Sequence, residues 1–369
     1  IISFLNLKLN EIIFCYFLYL FSLFVIYIYR FKALYISSKD SFFYFISLFI
    51  TSSIIFLEVS NNLVIGWDAQ KFWIYKTLNF YNGNTITNLS NLENPWYPYL
   101  GSLSWAFFWK VSFLENEYSG RLFYVFIYLS SLLLLINNFK FSNFFKFIFF
   151  IFLIIISYDH TYQSNWSMFS GNQEILIFSL ISIAMHFLYS LTKSNIKLEN
   201  LNILSILLIC NLLLWIKHEG FIFSLSLILT LIFFFNLTTK KKFIIFSIFL
   251  GIIFLRFFIF DFYNLNPNNI HHAGFEQLNV NLMIEKISLE RILIIAKFLI
   301  ISLLSNYLML VAIFLLLLSL ILKNDLKKLF YIIFFALFNI TFFCGIYLMT
   351  DANLILMLKT GIDRVIYQF

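Results

Sequence analysis

The chain has 369 residues, 62% of them hydrophobic and only 12% charged, with a mean hydropathy of +0.90. A soluble domain carries about 25% charged residues, so this chain has half the usual means of wetting its surface, and a sizeable soluble domain is excluded. The net charge of +7, from 25 basic and 18 acidic residues, is distributed in a way that reports topology before it reports any anionic partner.

Apolar runs recur along the whole chain. In lipid each backbone polar group must be satisfied within its own segment, so the runs predict helices. They fall near 12–29, 41–57, 122–137, 144–157, 174–191, 201–215, 221–236, 243–260, 307–322 and 329–347. The expectation is an all-α, polytopic bundle of about ten transmembrane helices, one membrane domain over 1–369. The 52 Phe residues and the excess of Lys over Arg fit the drift of an AT-rich genome and carry no functional meaning. Cys15, Cys210 and Cys344 are widely spaced within apolar runs and imply neither a disulfide framework nor a metal site. The chain starts at Ile1 and stops at Phe369 in mid-motif, so a fragment cut at one or both ends is expected. The first apolar run reads as a helix and not as a cleaved leader.

The connections alternate in charge. One set holds Arg30, Lys32, Lys39, Lys140, Lys146, Lys193, Lys197, Lys240, Lys241, Lys242, Lys323, Lys327 and Lys328 against Asp40, Glu199 and Asp325. The other set holds the remaining 12 basic and 15 acidic residues. The positive-inside rule places the first set in the cytoplasm. The outer loops are then 58–121, 158–173, 216–220, 261–306 and 348–369. Two further apolar stretches, 99–114 and 288–305, would reverse this alternation if the first crossed the membrane alone. Trp105, Trp109 and Lys110 in one, and Glu290, Arg291 and Lys297 in the other, suit amphipathic helices on the outer surface. A short tilted hairpin is the alternative for the second.

The chemistry-bearing residues lie in the outer loops. Read as a helix, Asp68, Lys71 and Tyr75 share one face, with Trp67, Phe72 and Trp73 as apolar anchors. A carboxylate beside a lysine stays ionised and can accept a proton from a hydroxyl nucleophile. The plainer reading is an interfacial helix with a surface ion pair. Pro95 and Pro98 then end any helix before the apolar stretch that follows. Lys217, Glu219 and Arg364 are costly near lipid without partners, although snorkelling to the interface would also satisfy them. Asp159, His160 and Glu174 flank one short loop and could hold a divalent cation, although no spacing compels it. His271 and His272 sit in an Asn-rich loop and face solvent, and His186 packs inside a helix. There is no Gly-rich phosphate loop, no Ser-His-Asp order and no nucleic-acid motif.

The segment Trp67-Asp68-Ala69, with Trp73 and Lys76, followed by Tyr97-Pro98 and an interfacial helix, resembles the bacterial GT-C membrane glycosyltransferases. The closer likeness is to the protein-mannosyltransferase-like and aminoarabinose-transferase-like enzymes of glycosyltransferase family 39. Further segments match in the family's order: Glu117 through Arg121-Leu122, Ser170-Gly171-Asn172-Gln173-Glu174 with Glu in place of Asp, and Lys217-His218-Glu219-Gly220. Tyr347 through Gln368 resembles the family's last outer loop, with Met357 and Gly361 at or near positions where the family carries His and Ser/Thr. The resemblance spans 58–369. It implies an inverting glycosyltransferase of a bacterial inner membrane whose site faces the periplasm. Asp68 would be the catalytic base, and Lys217, Arg364, Lys71 and Lys76 would hold the phosphate of a polyprenyl-phosphate sugar. Trp67, Tyr97, Arg121, Glu174 and Glu219 would line the substrate groove. The acceptor would be a lipid, a glycan or a protein.

Two other classes compete. A transporter or lipid flippase of cell-envelope glycan precursors needs polar or broken helices at mid-membrane, and these helix interiors are almost purely apolar, with Arg256 near an outer end. A non-catalytic membrane scaffold explains the topology but not the gathering of Asp, Lys and Arg on one side.

Overall fold

The computed structural model describes residues 6–31, 39–61, 63–113, 115–139, 141–157, 169–192, 196–266, 287–321, 326–349 and 353–367. Fourteen α-helices occur among them, in chain order α1 (Leu9–Phe31), α2 (Lys39–Asn61), α3 (Ile74–Tyr81), α4 (Leu100–Val111), α5 (Leu122–Ile136), α6 (Asn143–Ser157) and α7 (Glu174–Leu191). They continue with α8 (Ile196–Ile216), α9 (Gly220–Phe234), α10 (Thr239–Phe262), α11 (Leu289–Ser305), α12 (Tyr307–Ile321), α13 (Leu326–Met349) and α14 (Leu354–Tyr367). No strand is present among the described residues.

Every one of the ten predicted spans is helical. Seven helical segments are long and apolar enough to cross a membrane, those of α1, α2, α5, α7, α8, α10 and α13. The other three are short or bent. Helices α6 and α9 have 15 residues each, about 22 Å at 1.5 Å per residue, against a hydrocarbon core of roughly 30 Å. Helix α12 is the second arm of a pair with α11, bent by 87°. Asn306 makes the corner: its amide donates to Ser302 O, and its side chain accepts from Met309 N, capping α12. The bend sets α11, with its Glu290, Arg291 and Lys297, at nearly a right angle to α12. Large apolar side chains are exposed along these helices, among them Phe21, Phe49, Phe144 and Phe254. A surface this apolar belongs against lipid, and the chain is an integral membrane protein of the helical-bundle type.

Helix α7 is the centre of the bundle. It packs between α5 and α8, with α2 beyond α5 and α9 beyond α8, and α13 closes on α9. Leu129, Leu180, Ile181, Leu213 and Leu227 are buried in this shared core. Where α9 meets α13 the contact is polar: Asn339 Nδ2 donates to Ser226 Oγ at 2.9 Å, with both side chains fully buried.

The two ends of the bundle differ chemically. At one end the hydroxyl of Tyr44 donates to Asn137, Lys146 reaches Tyr44, and Lys241 pairs with Glu199 at 2.6 Å. Lys146, Lys241 and Glu199 belong to the lysine-rich connections. At the opposite end the first loop folds over the starts of α5, α7 and α9 and the ends of α8 and α10. A second apolar core lies beneath this cover, built from Leu9, Phe80, Tyr99, Leu103, Ile259 and Phe260.

The aromatic residues of helix α4 pack within the protein. Trp105 is completely buried rather than placed at a lipid boundary, and its indole N–H donates to Glu117 O. Trp109 donates to Glu115 O and stacks on Tyr81 at 4.0 Å, with Lys110 over the same Tyr81 ring. The aromatic residues that suggested a water–lipid interface hold the loop to itself.

Candidate functional site

The site begins at Asp68. Residues Ala69–Trp73 form a single π turn that runs directly into α3. Such turns are rare and recur at functional sites. Another segment fixes the turn's start: Asn172 Oδ1 accepts from Ala69 N at 3.1 Å, and Gly66 N donates to Ser170 O at 2.9 Å. Asn172 thereby supplies one of the acceptors that the first amides of a helix lack. The approach is close, since a Cβ on Gly66 would lie 2.6 Å from the Asn172 amide. Gly171 has φ +92°, a conformation that favours glycine, and a Cβ there would strike the Trp105 ring at 2.3 Å. Gln173, also buried, donates to the Tyr124 hydroxyl. The Ser-Gly-Asn-Gln segment is thus the bed on which the Asp68 turn rests. Asp68 itself is half-buried.

The π turn displaces the α-helical register, so the expected single face of Asp68, Lys71 and Tyr75 is not that of an ideal helix. Lys71 is exposed, and its ammonium lies 5.2 Å over the ring of Trp67. Trp67 and Tyr75 are both about half exposed. These three side chains form the outer rim beside Asp68.

Tyr97 links this turn to a second group. Its ring stacks on Phe72 at 4.5 Å and meets Trp73 and His218 edge-on at 5.5 and 4.9 Å. His218 lies in the turn between α8 and α9 and keeps exposed surface. Arg256 of α10 places Nη2 3.2 Å from His218 Nδ1. Crowding in this recess, and then the positive charges of Arg256, Lys76 and Lys217, hold the imidazole well below its ordinary pKa. His218 is therefore neutral at physiological pH.

Lys76 is fully buried and donates to the carbonyls of Pro95 and Tyr97. Burial lowers its pKa to about 7. Its ammonium ties α3 to the Pro95–Tyr97 turn. Lys217 bridges two carboxylates, Glu174 and Glu219, each at 3.0 Å. Glu174 is buried in the first turn of α7, where the helix dipole favours an anion. This trio joins α7 to the α8–α9 turn. Arg121 is also fully buried. It pairs with Glu117 at 3.2 Å and donates to Val64 O and Phe169 O, so it staples the segment leading to Asp68 onto the start of α5.

Of the residues singled out from sequence, Asp68, Trp67, Lys71, Lys76, Tyr97, Arg121, Glu174, Lys217 and Glu219 all gather at this one end. Arg364 belongs to α14, which packs against α11, α13 and α7, but its side chain lies outside the described residues. So do Asp159, His160, His271 and His272. Among the described residues no three His, Cys, Asp or Glu side chains converge to hold a metal ion. Three contributors were named from sequence without a role in the site. Arg256 carried a signal, a charge inside an apolar run. Asn172 and Gln173 stood inside the Ser170–Glu174 segment that carries the resemblance, but nothing local assigned them a role, because their partners Ala69 and Tyr124 are distant in sequence.

No protein family, no curated protein and no solved structure matches this chain.

Proposed function

We propose that the protein is an inverting membrane glycosyltransferase of GT-C type in a bacterial inner membrane, working at the periplasmic end of its helices. The lysine-rich end, with Lys146 and Lys241, lies in the cytoplasm under the positive-inside rule. Asp68 orients the acceptor hydroxyl and takes its proton as the hydroxyl oxygen attacks the anomeric carbon of the donor sugar. The bond between that carbon and the phosphate oxygen breaks, and the polyprenyl phosphate leaves with the electron pair. Positive charge must meet the leaving phosphate. Lys217, Arg364, Lys71 and Lys76 are the cations that the family resemblance assigns to it. The acceptor is a lipid, a glycan or a protein.

One observation carries this reading. A half-buried acid on a π turn and a cluster of buried cations lie at the same end of the bundle, and a single ring, Tyr97, connects them. A scaffold needs neither group, and the apolar helix interiors offer a transporter little path. The test is sugar transfer from a polyprenyl-phosphate donor in reconstituted vesicles, with mass spectrometry of the lipids that copurify. Transfer, or a copurifying polyprenyl phosphate, is expected. A folded protein that shows neither contradicts the proposal.

A further inference from the structure

Arg256 lies six residues before the end of the apolar helix α10, about 9 Å along its axis. It is 8% exposed. A guanidinium within an apolar span is costly unless something pairs with it. Among the described residues no carboxylate does: the four ion pairs there engage Arg121, Lys217 twice and Lys241. The neighbours of Arg256 include the Phe260 ring at 5.4 Å, His218 Nδ1 at 3.2 Å and Tyr99, none of them a carboxylate. A guanidinium has donors only, so Nδ1 must accept, and the imidazole proton resides on Nε2. That N–H has no partner among the described residues, and His218 keeps exposed surface.

The neighbouring cations are held by other groups. Lys217 is answered by Glu174 and Glu219, and Lys76 is bound by neutral carbonyls. Arg256 is left as a desolvated cation beside an outward-facing residue that offers a further donor. The ring of Tyr99 packs against both Trp215 and Phe260, at 5.5 and 6.4 Å. This aromatic layer fixes the ends of α8 and α10 and with them the spacing of His218 and Arg256. Such a pair of fixed donors, one of them charged, suits a compact oxyanion with several acceptor oxygens.

We propose that Arg256 and the Nε2–H of His218 form a cradle for a phosphate-type oxyanion at the membrane boundary, carried by a lipid headgroup or by a free phosphate ester. The cradle deepens the transfer reading by naming the groups that meet the leaving phosphate, in place of the already paired Lys217. Its test reads binding alone, so that it and the transfer reading can fail separately.

The chain is reconstituted in phosphatidylcholine nanodiscs. One arm titrates inorganic phosphate; the other includes polyprenyl monophosphate in the disc. Phosphorus NMR and calorimetry report binding. Saturable binding is expected in at least one arm. Saturation by inorganic phosphate assigns a free-phosphate site, and saturation in the lipid arm alone assigns a headgroup site. Arg256→Gln is expected to weaken binding by roughly 10- to 100-fold, the worth of a charge-assisted hydrogen bond, and Arg256→Lys by less. His218→Phe, which keeps a ring against Tyr97, is expected to weaken binding at least several-fold, which keeps the test decisive if Arg256→Gln fails to fold. Absence of saturable binding in both arms, or wild-type affinity in folded His218→Phe and Arg256 variants, overturns the proposal.

Discussion

The rings of Tyr97 and His218 meet edge to face, with centroids 4.9 Å apart and planes at 64°. The same Tyr97 ring stacks on Phe72, four residues beyond Asp68. One side chain therefore sets the spacing between the acid's turn and the cation cluster. Aromatic pairs contribute about 0.5–1.5 kcal/mol each beyond their buried area. Tyr97→Leu is expected to lower the melting temperature by several degrees and to reduce sugar transfer, whereas Tyr97→Phe keeps both. Undiminished transfer by a folded Tyr97→Leu would show that the ring does not hold the two groups in register.

The bed beneath Asp68 is tested at Gly66 and Asn172. A methyl group on Gly66 would press on the Asn172 amide at 2.6 Å, and overpacking of this kind costs about 1–3 kcal/mol. Asn172→Ala deletes the bond to Ala69 N without overpacking and should cost about 1 kcal/mol. Both variants are expected to lower kcat while phosphate binding persists, because the Arg256 cradle lies across the Tyr97 ring from this turn. Kinetics and thermal melts on the same preparations separate the two effects. A normal kcat for Asn172→Ala removes this contact from the mechanism.

Lys76 gives the fold a pH dependence of definite sign. Burial lowers its pKa from 10.5 to about 7. Between those values the unfolded chain binds more protons at this site than the folded chain, so stability rises with pH across the window and is flat from this group below it. The stability of the wild type relative to Lys76→Met is therefore expected to increase from pH 7 towards pH 10, by up to about 1.4 kcal/mol per pH unit. Parallel melting curves for the two proteins over that range would exclude a depressed Lys76.

Sidedness is tested by labelling. In a cysteine-free background, single cysteines at Ser90 and Thr360 are expected to react with an impermeant maleimide in intact cells. Cysteines at Ser142 and Thr239, in the lysine-rich connections, are expected to react only after permeabilisation. The opposite pattern would turn the bundle over and move the site to the cytoplasm.

The helices were legible because lipid enforces one backbone solution and leaves long apolar runs in the chain. All ten predicted runs are helices, yet α6 and α9 are too short to be counted as spans by length alone, and α12 is bent away from α11. Composition does not reveal length matched to neighbours or a corner made by Asn306. The same limit explains Trp105: an indole in an apolar helix reads as an interfacial anchor until Gly120 and Gly171 are seen packed against it. The motif residues were visible as polar islands in apolar sequence, but their division of labour was not. Charge alone does not separate Arg121, which fastens backbone, from Arg256, which has no carboxylate partner among the described residues. That difference depends on Glu117 lying one turn before Arg121 and on His218, not an acid, standing beside Arg256.

The central claim rests on the charge of Asp68, and one substitution removes that charge while keeping the shape. Asp68→Asn is assayed for sugar transfer in reconstituted vesicles, with expression, melting temperature and phosphate binding measured alongside. As the general base, Asp68 should contribute about 10²–10⁴-fold to turnover. The variant is expected to fold and to bind phosphate as the wild type does, while transfer falls by that factor. Near-wild-type transfer by Asp68→Asn contradicts the catalytic assignment.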